Sequence, residues 1–340
     1  MEMREAVIVA AVRTPVGKAK RGGLATVRAD EMAAIVIKEL LKRTPKLDPA
    51  DIDDVILGCA FPEGEQGMNM ARLTALGAGL PYTVPAETIN RFCSSGVQSV
   101  AHAAQAIMSG QIEVAIAGGA ESMTQVPMTG YKFAPNLDQA TNNPEAFTNM
   151  GLTSENVAAK YNVTREEQDA FAVKSNQKAA KAVSSGLFDA EIVPVDVEVV
   201  EVGPDGKPAT RKFTVSRDEG PRGDSTVEGL ARLGTPFKTG GTSTAGNSSQ
   251  MSDGAAFVMV MSEDMVKELN IEPIARMVNY AAAGVEPRIM GIGPVAAIPK
   301  ALKQAGLKQN DIDLIELNEA FASQSLAVIR ELDLNKEIIN

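Results

Sequence analysis

A cysteine lies at the junction of a predicted strand and a predicted helix, where its thiol could act as a nucleophile. Residues 86–89 read as extended, and apolar residues recur at helical spacing over 97–108. Cys93 precedes that helix, and Ser94-Ser95-Gly96 leaves room around it. The free N–H groups and dipole of a helix N-terminus lower a thiol's pKa and can bind a developing oxyanion. Covalent catalysis is one interpretation of Cys93, and a buried cysteine packing as a small apolar residue is the other.

The only histidine of the chain does not suit the role of base for this thiol. His102 follows Cys93 by nine residues in the same predicted helix, a separation of about 2.5 turns and about 13 Å along the axis. The two side chains therefore point to opposite faces, and we expect His102 to be a packing residue.

A second stretch, residues 240–249, is rich in glycine, serine and threonine and could accept a ligand close to the backbone. It is not a nucleotide-binding P-loop, because the chain contains no Gly-Lys-Ser or Gly-Lys-Thr sequence.

The segments that would carry these residues alternate between strands and helices. Strand patterns cover residues 7–11, 54–61 and 114–117, and helical patterns cover residues 30–43 and 97–108. The strands are almost continuously apolar, which indicates a mostly parallel sheet with helices on both faces. An α/β fold is therefore expected.

Residues 124–246 interrupt this alternation with prolines, asparagines and an acidic strand-like stretch at 191–202. Long excursions of this kind commonly carry binding function. Among the cations here, Arg222 is either a solvated surface charge or part of a binding site.

The composition excludes some classes of partner. A length of 340 residues favours two domains or a duplicated unit. The net charge of −10 disfavours nucleic acid and anionic membranes. No apolar run reaches membrane-spanning length, no signal peptide is recognised, and two cysteines are too few for a disulfide framework. We therefore expect a cytoplasmic protein without a membrane span.

Two parts of the chain carry the same residue pattern, offset by 260 positions. In both copies the pattern follows a helix and predicts a buried strand, so a duplicated βαβ unit is the simplest explanation. The first copy spans about residues 4–120, and a matching second copy from 271 would need roughly fifty residues beyond Asn340. The recurring residues are Leu47, Asp51-Ile52-Asp53, Leu57 and Ala60-Phe61, repeated as Leu307, Asp311-Ile312-Asp313, Leu317 and Ala320-Phe321.

Five stretches resemble motifs of the thiolase family. Within that family the chain most resembles the bacterial degradative 3-ketoacyl-CoA thiolases (acetyl-CoA acyltransferases), because Asn149 precedes Met150-Gly151 where the biosynthetic branch carries histidine. The stretches are Ala11-Val12-Arg13-Thr14-Pro15-Val16-Gly17, Asn90-Arg91-Phe92-Cys93-Ser94-Ser95-Gly96, Gly118-Gly119-Ala120-Glu121-Ser122-Met123, Thr244-Ala245-Gly246-Asn247-Ser248-Ser249 and Asn318-Glu319-Ala320-Phe321.

The resemblance implies an α/β fold of duplicated βαβαβαββ halves in a layered αβαβα arrangement, with the second half incomplete. Residues 1–123 would form the N-terminal half with the Cys93 turn, and residues 124–246 a loop domain that binds CoA. Residues 247–270 would supply the last strand of the N-terminal half, and residues 271–340 would belong to the C-terminal half.

The resemblance also implies roles for individual residues. Cys93 would be the nucleophile that carries the acyl thioester, and Asn318 would hold an oxyanion-hole water. Ala245, Gly246 and Ser249 match positions that line a pantetheine tunnel. CoA and acyl-CoA are substrates, so no cofactor and no metal is expected. The full set implied to contact CoA or substrate is Met150, Arg222, Phe237, Ala245, Gly246, Ser249, Met290, Ala320 and Phe321.

The implied reaction is acyl transfer between a 3-ketoacyl-CoA and CoA in fatty-acid β-oxidation, by a homodimer or homotetramer. It would run as thiolysis to acetyl-CoA or as the reverse condensation. An acetoacetyl-CoA-forming biosynthetic thiolase is an alternative. A ketoacyl synthase is disfavoured by the stretches around Thr244 and Asn318.

Two motifs of the family do not occur in these 340 residues. They are a Gly-His-Pro, whose histidine activates the nucleophile, and a Cys-x-Gly-Gly-Gly, which supplies the second cysteine as acid and base. We expect the natural enzyme to continue past Asn340. A truncated, non-catalytic thiolase is the alternative.

Overall fold

The computed structural model describes residues 4–202 and 206–340. The strands are β1 (Ala6–Arg13), β2 (Gly17–Lys18), β3 (Asp54–Gly58), β4 (Ala86–Ile89), β5 (Val114–Ser122), β6 (Val195–Val202), β7 (Pro208–Val215), β8 (Ser252–Ser262) and β9 (Ala275–Arg276). The α-helices are α1 (Ala29–Arg43), α2 (Met70–Gly77), α3 (Ser95–Met108), α4 (Leu137–Asn142), α5 (Met150–Lys160), α6 (Arg165–Ser184), α7 (Val227–Ala231), α8 (Glu263–Leu269), α9 (Gly293–Ala305) and α10 (Ala322–Glu331). Short 3-10 helices cover Pro49–Asp51, Gly64–Gln66, Pro144–Phe147, Pro287–Ile292, Gln309–Asp311 and Lys336–Ile338.

The chain forms two compact units. Unit 1 comprises Met1–Phe133, Gly186–Gly220 and Met251–Met277, and unit 2 comprises Ala134–Ser185, Pro221–Gln250 and Val278–Asn340. The four segments implied by the family resemblance stay a prediction.

Unit 1 is built on one mixed sheet with the strand order β4-β3-β5-β8-β1-β9, and β2 pairs with β8. β3 is parallel to β4 and β5, but β8 is antiparallel to both β5 and β1. The prediction of a mostly parallel sheet is therefore wrong for the part of the sheet that runs from β5 through β8 to β1, where the neighbouring strands are antiparallel. Ser122 at the end of β5 pairs with Asp253 at the start of β8, so the chain leaves and re-enters the sheet at the same end. β8 then runs back along β5, and an antiparallel pair of this kind needs no crossover helix.

Alternate residues of the strands face two different cores. Val55 and Leu57 of β3 pack in the core that includes α1 and α2, whereas Ile56 packs in the core that includes α3. This period of two is the geometry of a strand buried on both faces. The side towards α3 is lined by small residues, such as Ala115 and Ala117 of β5, which lets the helix approach the sheet closely.

The acidic stretch predicted as strand-like forms a hairpin in unit 1, in which β6 pairs antiparallel with β7. One face buries Val195, Val197 and Val215 in the main core, and the other carries ion pairs such as Glu198–Lys212. Among the described residues, none of the helices combines the length and the apolar character needed to cross a bilayer.

Unit 2 is mainly helical, and α5 and α10 contact each other through small polar residues. The Ser154 Oγ lies 2.5 Å from the Oγ of Ser243 and 2.7 Å from the Oγ of Ser323. All three residues are buried. Their mutual hydrogen bonds satisfy hydroxyl groups that would otherwise be costly to remove from water.

The second copy of the repeated pattern is only partly formed in the described residues. The 3-10 helix Gln309–Asp311 matches Pro49–Asp51 at the offset of 260. The buried strand predicted after it is wrong, because the described residues form no strand there and make a single parallel bridge, between Ile315 and Ile339. The N–H of Ile315 donates to Ile338 (2.7 Å), and Leu314 is 64% exposed. A strand is stabilised by pairing along its length, and here the backbone hydrogen bonds join Ile315 and Leu317 to Ile338 and Asn340.

Candidate active site

Cys93 lies in a short exposed turn of unit 1 between β4 and α3. The helix begins at Ser95, and its N-cap is Ser94, so the thiol precedes the first helical turn. Cys93 is exposed and forms no disulfide. Phe92, the residue before it, has a φ of 46°, a left-handed conformation that costs energy for a side chain of this size.

Hydrogen bonds from neighbouring side chains hold this turn in its strained conformation. The Ser95 hydroxyl accepts from the Arg91 N–H (2.7 Å) and donates to the Phe92 carbonyl (2.6 Å). The Asn90 side chain accepts from the Phe92 N–H (2.8 Å) and donates to the Ala60 carbonyl (2.9 Å). The position of Cys93 is therefore fixed by the residues on either side of it.

The end of β3 lies so close to this helix that only glycine fits there. A Cβ atom on Gly58 would lie 2.5 Å from the Ser95 carbonyl carbon and 2.6 Å from its Cβ. Ser99 adds a second tie, since its hydroxyl donates to the Gly118 carbonyl of β5 (2.8 Å). The sheet therefore positions the first turn of α3 directly.

The other cysteine of the chain is unsuited to nucleophilic attack. Cys59 is buried, with its Sγ 3.7 Å from Glu121 Oε1. Burial, and then the nearby negative charge of Glu121, raise the pKa of the Cys59 thiol to about 12. Because the thiolate is the reactive form, this thiol is inert at neutral pH.

The predicted CoA residues all lie in unit 2, and four of them come together there. The rings of Phe237 and Phe321 stack edge to face with their centroids 6.2 Å apart. The Ser249 N–H donates to the Ala320 carbonyl (3.0 Å). The Phe237 ring packs directly on Gly151, where a Cβ atom would lie 2.0 Å from the ring. The absence of a side chain at Gly151 therefore makes room for Phe237. Met150 precedes this glycine and is the first residue of α5.

The remaining predicted contacts are more dispersed within unit 2. Ala245 is exposed and Gly246 half-buried in the loop 242–249. Arg222 is exposed, and its N–H donates to the Asn176 side chain of α6 (3.0 Å). Met290 is half-exposed on the 3-10 helix Pro287–Ile292, whose Arg288 carbonyl accepts from Asn156 of α5 (3.0 Å). Asn318 is exposed, which leaves its side chain accessible from solvent.

Asn149 plays a structural part at the position where one branch of the family carries histidine. Its side chain caps α5 by accepting from the Leu152 N–H (2.9 Å). Asparagine is among the preferred N-cap residues. Among the residues described, 4–202 and 206–340, no group of three or more histidine, cysteine or carboxylate side chains is placed to hold a metal.

Buried charged residues beneath the loop 242–249 were missed by the sequence analysis. Glu155 accepts from the N–H groups of Thr242 and Ser243 (2.9 and 2.8 Å). Asp169 accepts from the Asn247 side chain (2.9 Å). The one available signal was the spacing of Arg165 and Asp169 at i and i+4 on a helix, which by itself only predicts a surface ion pair.

Family models match nearly the whole chain. A model described as the N-terminal domain of thiolase matches residues 6–264, and one described as the C-terminal domain of thiolase matches residues 271–340.

Curated proteins and solved structures give the same result. A 3-ketoacyl-CoA thiolase of Bacillus subtilis (strain 168) is 57% identical over 338 residues, which cover 99% of this chain and 86% of that protein. A probable acetyl-CoA acyltransferase of Staphylococcus aureus (strain COL) is 45% identical with the same coverage. The crystal structure of a Bacillus anthracis acetyl-CoA acetyltransferase superposes with a TM-score of 0.88 at 41% identity, over 100% of this chain and 86% of the other. This likeness confirms the predicted fold class.

Proposed function

Because the chain belongs to the thiolase family, we propose that it transfers an acyl group between a 3-ketoacyl-CoA and CoA through a thioester on Cys93. The observation that carries the proposal is the contrast between its two thiols. Cys93 is exposed in a constrained turn before a helix, and Cys59 is buried with a raised pKa. Only Cys93 is both accessible and held in place for attack.

The reaction would proceed in two steps. The Cys93 thiolate attacks the 3-keto carbon, the Cα–Cβ bond breaks, and the electron pair leaves on acetyl-CoA, which takes up a proton. The acyl group stays on Cys93 until the thiol of CoA attacks the thioester and releases the shortened acyl-CoA. Each step develops an oxyanion that needs hydrogen-bond donors. Asn318 is our candidate for orienting a water at one oxyanion.

Unit 2 supplies the proposed coenzyme surface. Phe237 and Phe321 form an apolar wall, and Ala245, Gly246 and Ser249 offer small residues and backbone groups for a pantetheine chain. Arg222 is exposed and would pair with a phosphate of CoA.

We assign the enzyme to the degradative branch and hence to fatty-acid β-oxidation. Asn149 and the names of the two similar curated proteins support this assignment. The acetoacetyl-CoA-forming branch is the alternative, which the name of the similar solved structure favours. We also propose a cytoplasmic homodimer or homotetramer. The two free cysteines support the cytoplasmic location, since that compartment keeps thiols reduced. The edge strand β4 supports oligomer formation, because among the described strands only β3 pairs with it and its other edge is open.

Acyl transfer to Cys93 can be tested directly by intact-protein mass spectrometry. After mixing with acetoacetyl-CoA and an acid quench, the wild-type protein should gain the mass of one acetyl group. Cys93→Ala should gain none, and the control Cys59→Ala should behave as wild type. Acetylation of Cys93→Ala would refute the proposed nucleophile. CoA binding without any acylation of the wild type would contradict the proposed acyl transfer.

Arg222→Ala should weaken CoA binding by about tenfold, the usual effect of losing one charge-assisted contact to a phosphate. Isothermal titration calorimetry with CoA measures the dissociation constant. Arg217→Ala is the matched control, since Arg217 is exposed and, among the described residues, forms no ion pair. An unchanged dissociation constant for Arg222→Ala would remove this residue from the site.

A further inference from the structure

Helix α6 carries an ion pair that bonds to two separate segments of the proposed coenzyme surface. Arg165 Nε lies 2.8 Å from Asp169 Oδ2, one turn further along the helix. The Asp169 side chain is 2% exposed and that of Arg165 is 19% exposed. A charge buried to this extent needs its partner, because an unpaired one would carry a large desolvation cost.

Asp169 connects the pair to the loop 242–249. Its Oδ1 accepts a hydrogen bond from the side-chain amide N–H of Asn247 (2.9 Å). The side-chain oxygen of Asn247 in turn accepts from the Thr244 N–H (2.7 Å). The Asn247 amide also donates to the Thr242 carbonyl (3.1 Å). The described loop contains no helix and no strand, so its conformation depends on such bonds.

Arg165 connects the same pair to the turn that ends α7. Its guanidinium donates to the carbonyls of Leu230 (2.7 Å) and Leu233 (3.0 Å). These two leucines meet the loop at Gly246, where a Cβ would lie 2.5 and 2.6 Å from their side chains. The ion pair, the α7 turn and the loop therefore form one closed junction, with Gly246 at the point of contact.

We propose that the Arg165–Asp169 pair is a positioning element of the pantetheine-binding surface: it holds residues 242–249 against the α7 turn, so that Ala245, Gly246 and Ser249 present a preformed contact for the coenzyme. This role rests on the proposed function. Binding to a preformed surface avoids the entropy of ordering the loop, which is how a residue without coenzyme contact affects affinity.

The test compares two ligands on Asp169→Asn, an isosteric change that removes the charge. We expect the dissociation constant for CoA to rise about tenfold, as for loss of a charged hydrogen-bonding group. Adenosine 3′,5′-bisphosphate, which lacks pantetheine, should bind within twofold of wild type. Glu166→Gln is the matched control, since Glu166 loses the same charge on the same helix but is exposed. Both constants should be unchanged in the control.

Each outcome separates the possibilities. If wild type binds CoA and Asp169→Asn binds it equally well, the positioning role is wrong and the proposed function stands. An equal loss of affinity for CoA and for adenosine 3′,5′-bisphosphate would also overturn the positioning role, because a general disturbance of unit 2 would weaken the binding of both ligands. Failure of wild type to bind CoA would contradict the proposed function itself. If circular dichroism shows that Asp169→Asn does not fold, Arg165→Lys decides the matter, since lysine can pair with Asp169 but cannot reproduce the fork that reaches both leucine carbonyls.

Discussion

Iodoacetamide will alkylate Cys93 at least about a hundred times faster than Cys59 in the folded protein at pH 8. Cys59 is 1% exposed, and a pKa of about 12 keeps its thiol protonated. At pH 8 a thiol with that pKa is thiolate in only about one molecule in ten thousand. Cys93 is exposed, and hydrogen bonds to the side chains of Ser95 and Asn90 fix the conformation of its turn.

The two rates are measured by quenching at intervals and quantifying the modified tryptic peptides. Unfolding the protein in guanidinium chloride is the control, because both thiols should then react at similar rates. The folded-state rate at Cys59 should keep rising with pH beyond pH 9, since its thiolate population grows up to pH 12. Equal rates in the folded protein, or no reaction at Cys93, would contradict an accessible thiol in this turn.

Gly58→Ala will destabilise the protein by about 3 kcal/mol and disturb the Cys93 turn. The added methyl group would lie 2.5 Å from the Ser95 carbonyl carbon and 2.7 Å from the Gly96 N. These are backbone atoms of the first turn of α3, so they can move only if the helix moves away from β3. The same shift would strain the hydrogen bond that the Ser95 hydroxyl accepts from the Arg91 N–H and the one that it donates to the Phe92 carbonyl.

Gly96→Ala is a matched control on the other side of this contact. A Cβ on Gly96 would find no atom closer than 4.0 Å, and alanine is a better helix former than glycine by up to about 1 kcal/mol. Urea denaturation should therefore show Gly96→Ala at or above wild-type stability and Gly58→Ala well below it. Cys93 alkylation should slow in Gly58→Ala alone. Equal stability of the two variants would show that β3 and α3 do not constrain each other at this point.

Features that depend on neighbouring residues in the chain were predictable. The extended residues 86–89, the turn at Cys93 and the helix after it follow from local apolar spacing and small residues, and β4 and α3 lie there. The repeat at an offset of 260 is likewise reflected in local structure, because the 3-10 helices Pro49–Asp51 and Gln309–Asp311 lie 260 positions apart. Repeated sequence favours repeated local geometry, because short-range preferences are the same in both copies.

Features that depend on distant parts of the chain were decided only by the tertiary structure. The apolar pattern of β8 fits either strand direction, and its antiparallel pairing with both β5 and β1 makes the sheet mixed. A buried strand was predicted near Ile315, but strand formation needs a partner along its length, which sequence periodicity does not reveal. The sequence alone identified Cys93 and the small-residue loop as candidates for chemistry, since residue type and local spacing suffice for that. The Arg165–Asp169 junction required the fold, because Asn247 lies 78 positions from Asp169 in the chain and meets it only through packing.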